Sequence, residues 1–450
     1  MGLTIVHKSD LATRRKNPRI ALVLAGGAIT GGAYKLGGLK ALDDFLVNRK
    51  TTDFDTYVGL SAGAFLAAPL AGGVTPPEML RALEATSEDF TYLSPLEFYS
   101  LNLREFVTKP LEFLVDLFTY FPNLIYEFLV QTPELVRSLQ EPLARARTRP
   151  TLGNLDECAK PLIDAIGSAQ EFPFPLAYLP SGVFDNSSLE HYLRHNIERR
   201  GMTNDFRVLY RLRKVELYIV AMNLDTAERV VFGHDEDTSL TISEAVQAST
   251  ALPGFYKPAR IKGVDYVDGG VRRTANIDVA IEHGADLVIC YNPFRPFSNR
   301  VVRRFIPERN AYKLEGRPLA DQGMLTVLNQ VLRTLLHSRL QLGIRQYQDD
   351  PHFQGDIILL EPGETDLTFF KMAPLNLWAG RSAGAHGYLS VTQSIEAHYE
   401  LIRQILQSYG VLMTRREVRE GLERLLRTEP SETPDDVLLR DVPKRNLHVA

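Results

Sequence analysis

Two apolar runs, Ile20–Ala25 (IALVLA) and Tyr57–Leu60 (YVGL), each pass into a glycine-containing turn and then into a helix-like stretch. This unit occurs twice within about fifty residues. A strand that is apolar at consecutive positions is buried on both faces, and strand–turn–helix units in tandem bring successive strands in parallel. The chain is therefore expected to form an α/β fold, a parallel sheet with helices packed on it. Further strand-like runs lie at Glu216–Met222, Glu228–Gly233, Asp265–Val267, Ala285–Tyr291 and Asp356–Glu361. Helical stretches are expected at Leu39–Leu46, Ser243–Ser249 and Ser390–Gln407, and no internal repeat is found.

The 450 residues carry a net charge of −4 and 44% hydrophobic side chains, ordinary globular composition with ample material for a core. No basic stripe or binding motif points to nucleic acid. Cys158 and Cys290 make neither a disulfide framework nor a metal-ligand spacing, which favours a reducing compartment. The N-terminal segment lacks a secretory apolar core, and no uninterrupted apolar run is long enough to cross a bilayer. The expectation is a cytoplasmic protein able to visit a membrane surface.

Between Phe90 and Phe128 the chain holds 11 of its 40 Phe and Tyr residues. Pro110, Pro122 and Pro133 are expected to divide this segment into short helical pieces. The last forty or so residues are charged and proline-containing, and are expected to be loosely ordered.

The second turn reads Gly59-Leu60-Ser61-Ala62-Gly63, the Gly-x-Ser-x-Gly pattern. Glycines two residues either side allow a sharp strand-to-helix turn that projects the serine, and the Ala62 N–H then faces a developing oxyanion. A helix start capped by Ser61 fits the pentapeptide equally well. The first turn, with Gly26, Gly27, Ala28, Gly31 and Gly32, offers backbone N–H groups to an anion. It is not a dinucleotide fingerprint, because Ala28 stands where the second glycine belongs, and no Lys-Ser/Thr pair makes it a P-loop.

A serine nucleophile needs a base. Two candidates stand open on the residues alone. His386, late in the chain, suits a Ser-His-Asp triad of the α/β-hydrolase type. Asp268, ahead of Gly269 and Gly270 at the end of a strand, leans over the carboxyl edge of the sheet and needs partial burial to become a base near neutral pH. As a turn residue before glycine it needs no function at all.

Three elements in order, the loop at 26–32, GLSAG at 59–63 and DGG at 268–270, carry a resemblance. With their surroundings (LVLAGG…GGAYKLGGLKAL, YVGLSAGAFLAA, SEAVQASTALPGFYKPARIKG…YVDGGVRRTANIDVAIEHGADLVI), most of residues 20–293 resembles the bacterial branch of the patatin-like phospholipase family. The resemblance implies a three-layer fold, a mostly parallel sheet with helices on both faces and a helical insert. It implies a Ser61–Asp268 dyad without a catalytic histidine, an oxyanion loop at Gly26, Gly27 and Ala28, and hydrolysis of lipid acyl esters through an acyl-enzyme, with no metal or cofactor. Two positions depart from the pattern: Ala28 replaces a third glycine, and Thr30 stands where the family often has Arg or Lys.

The expected domains are a catalytic domain over 18–300 with an aromatic insert at about 90–150, an α/β extension over 301–410 packing on it, and a charged tail over 411–450. Phe106, Phe113, Phe118 and Phe121 in the insert are candidates for an acyl pocket or an interfacial lid. The expected partners are a lipid or other acyl-ester substrate and a membrane surface; the sequence is silent on oligomeric state. A non-catalytic lipid-binding module, with the loop impaired at Ala28 and Thr30, is the reading from outside the enzymes.

Overall fold

The computed structural model describes residues 2–83, 87, 90–148, 157, 159–160, 174–306 and 311–426. Among them, nine strands form one sheet in the order β1-β13-β10-β2-β3-β5-β9-β8, with β6 paired to β5. The strands are β1 (Leu3–Val6), β2 (Ile20–Leu24), β3 (Thr56–Leu60), β5 (Glu216–Asn223), β6 (Arg229–Phe232), β8 (Ala259–Ile261), β9 (Val264–Asp268), β10 (Leu287–Tyr291) and β13 (Asp356–Leu360). Outside this sheet lie β4 (Gly182–Phe184), β7 (Gly254–Tyr256) and the hairpin of β11 (Val302–Ile306) with β12 (Ala311–Glu315).

The five central strands β13, β10, β2, β3 and β5 are parallel. Their sequences (DIILL, LVICY, IALVL, TYVGL, ELYIVAMN) are almost wholly buried, as a sheet covered on both faces requires. Two apolar cores result, one per face. One gathers Leu22, Leu24, Tyr34, Leu39, Leu66 and Tyr388; the other gathers Val23, Val58, Val220, Val279, Val288 and Leu340. β1 closes the edge beyond β13 as an antiparallel strand, a feature too short to read from the N-terminal sequence.

Helix α1 spans Ala28–Phe45 and α2 spans Ala62–Ala71. Helix α1 therefore begins at Ala28, ahead of the expected start at Leu39, and takes in part of the loop expected at 26–32. Its glycines serve packing: a Cβ on Gly37 would run into the Gly384 carbonyl, and one on Gly387 into the Tyr34 carbonyl. Gly384 and Gly387 lie in the helix Gly380–Ala397, so two helices cross with their backbones nearly touching.

The chain forms two compact units, Met1–Ser100 with Phe184–Ala450, and Leu101–Val183. The second is built on the 46-residue helix Leu103–Thr148, which runs through Pro110, Pro122, Pro133 and Pro142 rather than breaking at them. A proline removes one helical hydrogen bond and bends the helix, and tracts of about three turns between prolines can carry that loss. Within this unit the Tyr178 hydroxyl donates to Asp116 (2.6 Å) and its ring meets Phe113 edge-on. The charged tail also differs from expectation over its first part. Residues Arg416–Leu426 form a helix, and Val411 and Val418 are fully buried in the core. The remainder, 427–450, lies outside the described residues.

The helix crossing gives a stability prediction. Gly387→Ala is expected to cost about 1–3 kcal/mol through overpacking against the Tyr34 carbonyl. Gly343→Ala, in a helix where an added Cβ meets nothing within 4 Å, is expected to be neutral or stabilising by up to about 1 kcal/mol. Urea denaturation of the two variants checks the contrast.

Candidate active site

Ser61 links β3 to α2 with φ 54° and ψ −128°, a conformation a residue bearing a Cβ adopts only when its surroundings hold it there. What holds it is close packing. A Cβ on Gly59 would sit 2.5 Å from Ala64 Cα, and one on Gly63 would sit 2.6 Å from the Ala25 carbonyl oxygen. These two glycines let α2 start directly against the ends of β2 and β3. The Ser61 N–H donates to Ser249 Oγ at 2.8 Å, and Ser249 Oγ donates to the Val220 carbonyl at 2.6 Å. Ser249 is fully buried, on the helix Ile242–Thr250, and nothing in the sequence marks it as the anchor of the turn. The Ser61 side chain makes no cap hydrogen bond to α2, so the capping alternative is not what the hydroxyl does.

The hydroxyl instead acts on the Asp268 carboxyl, favouring its ionised form. The register explains how residues so far apart in the chain meet. Leu60 pairs with Val220 across β3 and β5, and Ala221 pairs with Asp268 across β5 and β9, so Ser61 and Asp268 flank the small Ala221 at one level of the sheet. Gly269 continues the turn tightly: an added Cβ would lie 2.8 Å from the Val220 carbonyl and 2.9 Å from Leu60 Cδ1. Asp268 also accepts the Gly270 N–H at 2.8 Å. Asp268 is 4% exposed and Ser61 6%. Burial pushes the Asp268 carboxyl up to about 6; the Ser61 and Gly270 hydrogen bonds and the charge of Lys35 pull the other way.

The loop after β2 passes against this pair. A Cβ on Gly26 would lie 3.4 Å from Ser61 Cβ and 3.2 Å from the Phe294 ring. Ala28 opens α1 with φ 52°, so the chain has taken the glycine-like backbone despite the alanine. The strain of that choice is about 1–2 kcal/mol. Gly31 does not belong to an open anion loop, because its N–H bonds the Gly27 carbonyl at 3.0 Å inside the helix. Thr30 gives both its N–H and its hydroxyl to the Pro374 carbonyl, each at 3.1 Å. The first N–H groups of a helix have no acceptor within it. Ala28 and Ile29 at the start of α1, and Ala62 at the start of α2, line the same cavity as Ser61, so two positive helix ends converge on it.

That cavity has a volume of about 400 Å³, within the usual ~300–1,000 Å³ of ligand sites. Its wall is mainly apolar, with Leu36, Phe65, Leu66, Met79, Leu93 and Trp378 among its residues, and among the described residues Arg381 is the one charged side chain in it. Phe106, Phe113 and Phe118 lie on the long helix of the second unit, where Phe106 and Phe118 are exposed, and the side chain of Phe121 lies outside what the structure describes. His386 lies on Gly380–Ala397 with Nε2 2.7 Å from Asp366 Oδ2, and it makes no hydrogen bond to Ser61. Ser61 and Asp268 are thus brought together, while His386 is engaged elsewhere.

The structure thus sets a buried serine–aspartate pair at the carboxyl edge of a mostly parallel α/β sheet, beside an apolar cavity. Residues 22–281 match the family described as patatin-like phospholipase, and the chain belongs to that family. Family membership supports lipid hydrolase activity. The chain is also similar to VipD from Legionella pneumophila, at 16% identity over 88% of this chain and 70% of that one, with a TM-score of 0.36. ExoU from Pseudomonas aeruginosa, solved in complex with SpcU, is 17% identical over 98% and 68%, with a TM-score of 0.26. Human GIVD cytosolic phospholipase A2 is 12% identical over 89% and 61%, with a TM-score of 0.32. Among the described residues, no helix is long and apolar enough to cross a membrane.

Three variants test the local geometry. Ala28→Gly is expected to stabilise the protein by about 0.5–1 kcal/mol because it removes the positive-φ strain, whereas the β-branched Ala28→Val is expected to destabilise it by more than that. Ser249→Ala leaves the buried Ser61 N–H without an acceptor and is expected to cost about 1–3 kcal/mol. Denaturant midpoints of the three proteins against the parent check both.

Proposed function

We propose that the protein is a serine acyl hydrolase that cleaves acyl ester bonds of lipids through an acyl-enzyme. Ser61 Oγ attacks the acyl carbonyl while Asp268 takes its proton. The tetrahedral oxyanion is held by N–H groups of the Gly26–Ala28 loop and of Ala62. Collapse expels the alcohol, which leaves with the proton from Asp268, and a water then attacks the acyl-Ser61 ester with Asp268 again as base. The dyad is the triad's logic with the carboxylate in direct contact with the nucleophile.

The observation that carries this reading is the juxtaposition of a buried Asp268 with Ser61, whose side chain stands in the wall of an apolar cavity. A carboxylate raised to about 6 is a usable base at neutral pH, where an ordinary aspartate near 4 is a poor one. The apolar wall suits a lipid acyl chain. Phe106, Phe113, Phe118 and Phe121 remain proposed as a lid or membrane-facing surface on the insert.

The test is hydrolysis of short nitrophenyl esters and of mixed phospholipid vesicles. Ser61→Ala and Asp268→Asn are each expected to lower kcat at least about 10³-fold, and His386→Ala to change it less than about threefold. Asp268 must be ionised to act, so kcat/KM is expected to fall about tenfold per pH unit below about 6. Equal activity in Ser61→Ala refutes the nucleophile, and vesicle binding without turnover in the parent protein favours the non-catalytic module.

A further inference from the structure

Lys35 lies in the middle of α1 and is fully buried. Its Nζ donates to the Ala25 carbonyl and, at 3.1 Å, to the Gly26 carbonyl. Among the described residues no carboxylate is in hydrogen-bond contact with it, and the titratable groups that act on it are Asp268 at the end of β9 and Cys290 in β10. A methionine or leucine would fill the same space without the cost of burying an ammonium. Lys35 is also absent from the cavity wall, which Ala28, Ile29, Ser61 and Ala62 form. It sits behind the loop whose front faces Ser61.

We propose that Lys35 is a positioning residue of the oxyanion hole, aiming and polarising its backbone donors from behind. The inference rests on the serine hydrolase reading above. In a trans peptide the C=O and the following N–H point to opposite sides of one plane, and no cis peptide occurs in the described chain. The Gly26 carbonyl turned back to Lys35 therefore turns the Gly27 N–H forward, toward the cavity side. The bond to the Ala25 carbonyl ties the end of β2 to the same ammonium. A charge on the acceptor side of a peptide also strengthens the hydrogen bond its N–H donates. The cation then opposes the negative charge that develops on the oxyanion, with no direct contact to substrate.

The same ammonium stabilises ionised Asp268, so one buried cation supports both halves of the reaction. The productive form carries Lys35 protonated and Asp268 ionised. Burial lowers the Lys35 ammonium to about 7, with Asp268 and Cys290 opposing the shift, and burial keeps the Cys290 thiol neutral. Activity is thus confined between an acid limb set by Asp268 and an alkaline limb set by Lys35, both read as values of the coupled pair.

The experiment is the pH profile of kcat and KM with a nitrophenyl ester for the parent protein, Lys35→Met and Lys35→Arg, with fluorophosphonate labelling of Ser61 and a denaturation curve for each. The expected parent profile is a bell with its alkaline limb near 7. Lys35→Met is expected to lose about 10–100-fold in kcat at the optimum with KM nearly unchanged. Its alkaline limb disappears, and its acid limb moves upward because Asp268 has lost the cation. Lys35→Arg, charged at all pH values used, is expected to recover part of kcat and to stay active above pH 8. An active parent with a flat profile above 7 overturns the inference alone. So does a folded Lys35→Met with parental kcat, or one whose loss lies in KM. If Lys35→Met does not fold, the parent profile and Lys35→Arg decide. A parent with neither turnover nor labelling overturns the hydrolase reading and this inference with it.

Discussion

The close approach of two backbones, the exit of β2 and the turn at Ser61, is the constraint on which the rest of the site depends. Gly63 has no room for a side chain because α2 begins against the Ala25 carbonyl, and Gly26 passes within contact of Ser61. With this contact the starts of α1 and α2 meet at one cavity. Helix N-termini point unpaired N–H groups and a partial positive charge outward, so their convergence makes an anion-stabilising end to an otherwise apolar pocket. The positive φ of Ser61 and of Ala28 follows from the same crowding. Such backbone is tolerated where neighbours over-determine it, and here the Ser249 bond and the glycine contacts do so.

Burial does the electrostatic work. Asp268 sits under nearly full cover and is raised, Lys35 sits under full cover and is lowered, and the two values approach each other near neutrality. In water neither group would titrate within two units of there. The low-dielectric interior also strengthens each hydrogen bond made to a charged form, so the hydrogen bonds and the Lys35 charge hold Asp268 partway down from what burial alone would produce.

Much of the fold and the pair at its centre were legible because their signals are local. Continuous apolar runs mark β2, β3, β5, β10 and β13, and GLSAG and DGG carry their own turn chemistry. What escaped was tertiary. Gly37, Gly384 and Gly387 carry no signal of their own in the sequence, yet they are the contact surface of two crossing helices. Ser249 looks like an ordinary helix residue, and Lys35 precedes the expected helix, until the fold sets them beneath the turn and behind the loop. The prolines of the insert read as breaks because propensity counts the lost bond and not the long helical tracts between. The helix Arg416–Leu426 was hidden by its charge, since only a narrow stripe including Val418 is buried.

Thr30 shows how the chain's C-terminal third enters the site. Where the resemblance would put a basic side chain, this residue spends its N–H and hydroxyl on the Pro374 carbonyl. The first turn of α1 is thereby tied to a segment far outside the matched span of residues 22–281. Leu375, Leu377, Trp378 and Arg381 of that segment stand in the cavity wall. A tether at position 30 fixes both the loop that faces Ser61 and the wall that a substrate must pass, so the geometry of the two cannot vary independently. The chain's individual character therefore lies less in the dyad, which the family pattern already contains, than in the segment Thr30 holds against it.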